Sequence, residues 1–378
     1  MKTPAVIYSI ATKLGGSGLG LTSYNTVKAL LEAGYLKKAV CYKNNSDIES
    51  SKLLALPGNP AKLLFFLPRH YYKPLRKGFL DFITSRLILQ TGCDIFHGWN
   101  NQALKSIRAA RRIGAKTILE CGSTHRYFSE KILNEEYERY GIKNVKPPEY
   151  SRQSSLEEID LSDFIFLTSE FAQKTFIDAG IGENKLFVMR RGVNLERFKP
   201  PERKDKKFKV LFVGRLSLRK GIQYLLEAWK KLDIKDAELI LVGTVDDNIK
   251  PILSEYTNIN NIVFKGFLKN PSEIFKESTI FVFPSLEEGS AKVTYEAMAA
   301  GLPVITTENS GSVVRNGMDG FIIPIRDSEA IREKISYFYE NPEKIEIMSA
   351  RALENIKQYT WEKYRDNLIS AYERILAG

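Results

Sequence analysis

Cysteine is scarce in this 378-residue sequence, and its three cysteines, Cys41, Cys93 and Cys121, stand far apart without a Cys-x-x-Cys pair. That spacing argues against a disulfide framework or a zinc site and fits a reducing compartment. Long apolar runs are also missing, since no stretch approaches the roughly 20 residues of a membrane-spanning helix. The short apolar run near residue 6 is interrupted by Lys13 and a glycine-rich loop, unlike a signal peptide. We therefore expect a cytoplasmic protein, either soluble or held peripherally on the inner face of a membrane.

Acidic residues are in short supply only in the first half of the chain. Residues 1–200 contain 30 Lys and Arg against 19 Asp and Glu, and residues 201–378 contain 26 of each, so the whole net charge of +11 lies in the first half. A basic half favours an anionic partner such as a phospholipid surface, a lipid-linked phosphate, an acidic glycan or a nucleic acid. The length suits two domains better than a single core.

The residues that are present form repeated strand–helix units. The first unit is a predicted strand at 6–10, a glycine loop at 13–20 and a helix to about residue 32, which is typical of a Rossmann-like domain. Glycines such as Gly15 and Gly16 let a phosphate or sugar approach the backbone closely. The unit lacks the acidic residue that a dinucleotide-binding fingerprint requires after its second strand.

A charged segment without apolar periodicity, residues 201–209, predicts a linker between two domains. We place a Rossmann-like N-terminal domain at 1–200 and a Rossmann-like C-terminal domain at 201–360. Apolar residues at helical spacing predict a closing helix at 361–378. The expected fold class is therefore α/β.

The central feature of the second domain is the stretch 283–304. A predicted buried strand leads into a loop that contains Glu288, and the helix that follows carries Glu296, with seven residues between the two carboxylates. Free backbone N–H groups at the start of such a helix can hold an anion. Two carboxylates beside an anion site suit a ligand with both phosphate and hydroxyl groups, which describes a sugar nucleotide.

Glu288 and Glu296, with the residues 297–304 that follow, resemble the Glu-x7-Glu signature of retaining glycosyltransferases of the GT-B fold, family GT4. The resemblance implies two domains facing across a cleft, with Glu296 on the ribose hydroxyls and Glu288 as a catalytic residue beside the donor sugar. The family often has Glu-Gly-Phe-Gly-Leu at this point, and the present sequence departs from it after Gly289. The positions there that the resemblance places against the donor's diphosphate or sugar are Gly289, Ser290, Ala291, Lys292 and Val293.

A second match follows the predicted strand at 210–213. The resemblance brings Arg215 and Lys220 to the donor diphosphate, where preorganised cations stabilise the charge that develops on the leaving nucleotide. The other donor-side positions that it implies are Gly15 and Gly16 of the first glycine loop, Gly214, and Gly266 and Phe267 near the nucleobase.

Residues 94–99 are predicted to form a strand that ends in His97 at the mouth of the sheet, and His125 follows the predicted strand at 116–119. A histidine near an acceptor can position or deprotonate a hydroxyl group. We expect His125 as the acceptor-side catalytic residue, with His97 as the second candidate, and a structural or interface role for His70.

The stretch 63–77 interleaves aromatic, aliphatic and basic residues, which suits an anionic membrane interface. The alternative is a core segment followed by a basic loop.

The sequence thus predicts a retaining transfer of a sugar from a nucleotide-sugar donor, with UDP or GDP favoured, to a hydroxyl of a glycan, lipid-linked or small-molecule acceptor. No Asp-x-Asp is present, so a metal-bound diphosphate is not indicated, and neither a cofactor nor a nucleic-acid partner is expected. Attack on the face from which the nucleotide departs is favoured, with double displacement as the alternative. Two other classes stay open: a sugar-nucleotide epimerase, and a catalytically idle paralogue that binds carbohydrate or membrane.

Overall fold

A computed structural model describes residues 3–56, 69–142, 149–198, 200, 207–232, 234 and 236–377, with positions 69–73 and 150 described by backbone only. Residues 57–68 and 201–206, which hold much of the predicted interface stretch and of the predicted linker, lie outside these ranges. Within the described ranges, no helix combines the length and the apolarity that crossing a bilayer requires.

The N-terminal domain is built on a parallel sheet of seven strands with the order β5-β3-β1-β6-β7-β8-β9. Its central strands are rich in β-branched and aromatic residues and are buried on both faces, as parallel strands between helical layers are. The seven strands are β1 Val6–Ser9, β3 Leu36–Cys41, β5 Leu53–Ala55, β6 Ile95–Trp99, β7 Lys116–Cys121, β8 Phe164–Leu167 and β9 Leu186–Val188, and two short strands, β2 Lys13–Leu14 and β4 Lys43–Asn44, pair separately. The helices are α1 Leu19–Glu32, α2 Arg69–Thr91, α3 Leu104–Arg112, α4 Arg126–Arg139, α5 Glu149–Leu161 and α6 Glu170–Ile177.

The C-terminal domain has a second parallel sheet, of six strands, with the order β12-β11-β10-β13-β14-β15. Its strands are β10 Phe208–Val213, β11 Ala237–Val242, β12 Ile262–Gly266, β13 Ile280–Phe283, β14 Val304–Thr307 and β15 Gly320–Ile323. Its helices are α7 Ile222–Lys231, α8 Lys250–Ser254, α9 Ser272–Lys276, α10 Lys292–Ala299, α11 Ser328–Glu340 and α12 Pro342–Ile356. Because β10 and β13 are hydrogen-bonded neighbours, the loops that follow them open at the same edge of the sheet.

The last helix, α13 at Trp361–Ala377, returns to the N-terminal domain. Its apolar face, including Leu368 and Tyr372, belongs to the core beneath β1, β6 and β8. A Cβ on Gly192 would lie 2.6 Å from Trp361, so the two connecting segments touch where the chain passes between the domains.

Helix α4 links the domains in a way that the sequence does not reveal. Ile132 on α4 is part of the C-terminal core. One turn later, Glu136 is fully buried and accepts hydrogen bonds from Gln223 Nε2 at 2.8 Å, Tyr224 Oη at 2.7 Å and Arg326 Nε at 2.7 Å. A carboxylate with three donors from the other domain fixes α4 against α7.

Candidate active site

The turn after β10 presses against the end of β13. A single 3-10 turn, Leu218–Lys220, is closed by Gly221, which has a left-handed φ of 68°. A Cβ at Gly221 would lie 1.9 Å from the carbonyl oxygen of Pro284, so only glycine lets the two loops approach this closely. This approach brings the side chains of both loops together.

Two cations and two carboxylates meet where these loops touch. Lys220 Nζ forms an ion pair with Glu288 Oε1, and Arg219 Nη2 lies 3.6 Å from Glu288 Oε2. Arg219 Nε lies 2.9 Å from Glu287 Oε2 and donates to the Glu287 carbonyl oxygen at 3.0 Å. The structure therefore joins the predicted residues Lys220 and Glu288 and adds Arg219 and Glu287, which the sequence reasoning missed. The adjacency of Arg219 to Lys220 and of Glu287 to Glu288 was the available signal.

The electrostatics of Lys220 suit an anionic ligand. Burial and the neighbouring Arg219 guanidinium, opposed by Glu287, lower the pKa of Lys220 to about 7, and Arg215 contributes in the same direction. A phosphate oxygen next to Nζ would restore the ammonium form, because an opposite charge favours the charged state.

Arg215 follows Gly214 at the end of β10 but stands away from this cluster. Its side chain is 61% exposed and pairs with Asp246 at 3.1 Å. Arg215 is therefore at the open rim, and an exposed pair of this kind is weak enough to exchange for a ligand oxygen.

Glu296 lies on α10 and is nearly buried, at 7% exposure. Lys292, one turn earlier, places its Nζ 2.7 Å from Glu296 Oε1. Val293 on the same helix is half-buried and packs against the C-terminal core.

The loop before α10 is packed tightly against the N-terminal domain. Ser290 is buried with its Oγ 3.2 Å from Tyr295 Oη, and the Ala291 amide donates to Ser310 O at 2.8 Å. A Cβ on Gly289 would lie 2.4 Å from the carbonyl oxygen of Gly122 across the cleft. The departure from the family pattern therefore lies at a domain contact, and the Ala291 amide already has a partner.

Of the remaining donor-side glycines, Gly15 is buried, and Gly16 and Gly266 are exposed. Gly15 and Gly16 have φ values of +86° and +82°, and a Cβ would strike Asn45 O at 2.7 Å from Gly15 but meet open space at Gly16. Gly266 ends β12, and Phe267 beyond it is 71% exposed.

Of the two acceptor-side histidines, His97 differs from its predicted position, whereas His125 follows a strand as predicted. His97 lies in the middle of β6 and is fully buried: its Nδ1 is 2.7 Å from Tyr372 Oη, and burial lowers its pKa to about 3. The expectation that His97 ends a strand at the mouth of the sheet is wrong, because the strand continues to Trp99. His125 caps α4, with Nδ1 accepting from Tyr127 N at 3.3 Å, and burial lowers its pKa.

The N-terminal domain contributes contacts to the acidic loop. Glu287 Oε1 accepts from Ser123 Oγ at 3.0 Å and from Thr124 Oγ1 at 2.5 Å. Ser169 Oγ donates to Gly289 O at 2.5 Å. Each domain therefore holds the loop that carries Glu288.

A cavity of about 750 Å³ opens in the N-terminal domain beside this contact. Its lining combines apolar surface with polar groups and charges of both signs, with Trp99, Glu120, Thr124, Arg126 and Arg152 among its residues. Burial raises the pKa of Glu120 to about 7, although hydrogen bonds from two tyrosines and the charge of Arg191 act in the opposite direction. The sequence reasoning did not predict a role for Glu120, although its position at the end of a predicted strand was a signal for one.

Comparison with known proteins finds a family match in the second half of the chain. The family described as glycosyl transferases group 1 matches residues 194–358. This part of the chain is thus similar to the group 1 glycosyltransferases. The match agrees with the resemblance to glycosyltransferases stated from the sequence.

Two curated relatives of this group 1 domain have specific names. The Staphylococcus aureus capsular polysaccharide biosynthesis glycosyltransferase CapM is 30% identical over 46% of this chain and 51% of its own length. The Campylobacter jejuni N,N'-diacetylbacillosaminyl-diphospho-undecaprenol alpha-1,3-N-acetylgalactosaminyltransferase is 29% identical over 56% of this chain and 60% of its own length. The chain therefore spans between half and three-fifths of the length of these two curated relatives.

Solved structures extend the fold comparison to the whole chain. The Anabaena protein HepE, solved in complex with UDP, superposes with a TM-score of 0.71 over 98% of this chain and 100% of its own, at 16% identity. Together with the two parallel sheets, this likeness confirms the GT-B fold.

Proposed function

We propose that this protein transfers a sugar from a nucleotide-sugar donor to a hydroxyl group of a saccharide acceptor, with retention of the anomeric configuration. The observation that carries the proposal is the cluster of Lys220 and Arg219 against Glu288, next to Glu287, which contacts Ser123 and Thr124 of the cavity lining in the other domain. Such a cluster places positive charge where a nucleoside diphosphate leaves and a carboxylate where the sugar stays. In this scheme Arg215 reaches the diphosphate from the rim and Glu296 binds the ribose hydroxyls.

The proposed reaction occurs on one face of the sugar. The bond from the anomeric carbon to the diphosphate oxygen breaks, and the acceptor oxygen bonds to that carbon on the same face. The departing phosphate oxygen takes the acceptor's proton, while Lys220 and Arg219 stabilise its negative charge. Glu288 orients the sugar and stabilises positive charge at the anomeric carbon. These cations provide the charge that a metal ion would otherwise supply.

The proposed substrates follow from the relatives and the cavity. We take UDP-sugars as the first donors to test, because HepE was solved with UDP. For the acceptor we favour a lipid-linked saccharide, the class named in the Campylobacter relative. A thermal-unfolding panel of UDP-, GDP- and ADP-sugars tests the donor, since a bound ligand stabilises the fold by mass action. Lys220→Ala should abolish the shift and Lys231→Ala, on the exposed side of α7, should keep it.

An unchanged shift in Lys220→Ala would refute the diphosphate assignment. Consumption of donor by epimerisation or hydrolysis alone, without transfer to any acceptor, would refute transferase activity in favour of the epimerase class.

We also propose that the N-terminal domain docks on an anionic membrane surface, through a surface that shares only Leu75 with the predicted stretch 63–77. Only part of that stretch is described, and two of its cations are engaged elsewhere. Arg76 lies over the Tyr42 ring at 4.2 Å, and Lys77 lines the cavity.

The surface proposed for docking is a stripe on α2 formed by Leu75, Phe79, Phe82, Arg86 and Leu89. At 100° per residue these positions fall on one face of the helix. The four apolar side chains are 52%, 39%, 41% and 43% exposed in chain order. The surplus of positive charge in residues 1–200 complements an anionic surface.

Sedimentation with vesicles tests the docking proposal. Phe79→Ser with Phe82→Ser should abolish binding to phosphatidylglycerol vesicles at low salt, and Phe264→Ser, an exposed phenylalanine on β12, should not. Equal binding to purely zwitterionic vesicles would contradict a contribution of anionic lipid to docking. Absence of binding to phosphatidylglycerol vesicles at low salt would refute the docking proposal.

A further inference from the structure

Arg191 lies where the two domains and the last helix meet. A Cβ on Gly122 would be 3.2 Å from Arg191 Nη2, 3.2 Å from the Trp99 ring and 3.7 Å from Leu19. Gly122, Trp99 and Leu19 all line the cavity. The guanidinium group therefore lies next to residues that line this cavity, beside the loop that closes on Gly122.

This guanidinium lacks the partner that buried arginines usually have. Its Nε is buried and has no hydrogen-bond partner among the described residues. Burial lowers the pKa of Arg191, against the opposing charge of Glu120. The residue as a whole is half-buried, and an enclosed guanidinium nitrogen without a partner is suited to a further anionic group.

Glu120 does not fill that role. Its two carboxylate oxygens accept hydrogen bonds from Tyr8 Oη and Tyr364 Oη, each at 3.2 Å. With a pKa of about 7, this carboxyl group is also partly protonated near neutral pH. Glu120 therefore offsets the charge of Arg191 from a distance and leaves the planar fork of the guanidinium available to a ligand.

Arg191 is also close to the loop where the chain departs from its family. Gly122, whose Cβ position is 3.2 Å from Arg191 Nη2, also touches that loop, since a Cβ on Gly289 would lie 2.4 Å from Gly122 O. The guanidinium is thus near both the lining of the N-terminal cavity and residues 289–292. This is the place where, under the proposed function, the donor sugar meets the acceptor.

We propose that Arg191 binds a carboxylate or another oxyanion carried by one of the two saccharide substrates, so that the enzyme selects an acidic sugar. The inference rests on the proposed function. Arginine suits this role because its fork matches two oxygens of a carboxylate, sulfonate or phosphate at once. The diphosphate of the donor is assigned to Lys220, Arg219 and Arg215, and Arg191 is a specificity residue distinct from them.

Matched neutral and acidic probes test the assignment in two arms. The donor arm compares UDP-glucose with UDP-glucuronic acid, and the acceptor arm compares methyl glucoside with methyl glucuronide in the presence of UDP. Dissociation constants are measured for the wild type, Arg191→Gln and Arg191→Lys. Arg190→Gln is the control, because Arg190 pairs with Glu170 on the surface.

The wild type should prefer the acidic probe in one arm, which identifies the substrate that carries the anion. Arg191→Gln should remove about tenfold of that preference, or about 1.4 kcal/mol, without changing the affinity for UDP. Arg191→Lys should retain part of the preference, because it keeps the positive charge but loses the forked guanidinium group. If Arg191→Gln does not fold, Arg191→Lys is the variant that tests the assignment.

Two results would overturn the assignment: no acidic preference in either arm, or an equal loss of UDP affinity in Arg191→Gln. UDP binding without an acidic preference refutes Arg191 alone, whereas an acidic preference without UDP binding refutes the proposed donor site alone.

Discussion

Binding of UDP should be accompanied by uptake of a proton on Lys220. In the free protein the pKa of this residue is about 7, so at pH 8 only about a tenth of the molecules carry the ammonium form. A diphosphate beside Nζ raises the pKa toward its ordinary value of 10.5, and the bound state is then almost fully protonated. The difference is an uptake of about 0.9 proton per UDP at pH 8 and about half a proton at pH 7.

The sign of the pH dependence follows from the same shift. Because the complex binds more protons than the free protein, the affinity for UDP should fall as pH rises, by up to about tenfold per unit between pH 8 and pH 10. Isothermal titration calorimetry at pH 8 in phosphate and in Tris measures the uptake, since the two buffers differ in ionisation enthalpy.

Lys220→Met separates this explanation from other protonation events. It should bind UDP more weakly and show no proton uptake, while Lys231→Met on the exposed face of α7 should behave like the wild type. Equal uptake in Lys220→Met and the wild type would show that another group titrates, and absence of uptake in the wild type would contradict the lowered pKa.

Three further predictions concern the domain contact and the ribose end of the site. Arg326→Ala removes a donor from the fully buried carboxylate on α4 and should lower the free energy of unfolding by roughly 3–5 kcal/mol in urea titrations; Arg332→Ala, in an exposed pair, should cost less than about 1 kcal/mol. Gly289→Ala should abolish transfer with little change in the circular dichroism spectrum, because its Cβ would lie 2.4 Å from Gly122 O and force the domains apart; normal transfer would contradict the closed arrangement. Glu296→Gln should weaken UDP binding more than binding of 2′,3′-dideoxy-UDP, and an equal loss for both ligands would refute the ribose assignment.

The family resemblance predicts Lys220 and Glu288 at one donor site, and the topology of the sheet explains why they meet. Each follows a buried strand, and neighbouring parallel strands deliver their loops to the same edge of a sheet. By contrast, the burial of His97 depends on where its strand ends. A strand that continues for two residues beyond the histidine places its ring in the interior instead of at the mouth.

The features that the sequence does not predict arise from contacts between distant segments. In the sequence, Glu120 is simply a polar residue near a strand end. In the structure it is enclosed by Tyr8 and by Tyr364 of the last helix, which both donate hydrogen bonds to it. Likewise, the low hydrophobic periodicity of α4 gives no sign that Glu136 is fully buried. Its burial becomes clear only when the second domain supplies three donors.

The docking of α4 makes the physical boundary between the domains different from the boundary along the chain. A fragment that begins near residue 207 would leave Gln223, Tyr224 and Arg326 without the carboxylate that they share, and would expose the core surface that Ile132 covers. Such a fragment would expose an apolar face to solvent and should aggregate. A stable nucleotide-binding fragment would need α4 supplied as a separate peptide or fused ahead of β10, so the smallest self-sufficient unit is discontinuous in sequence.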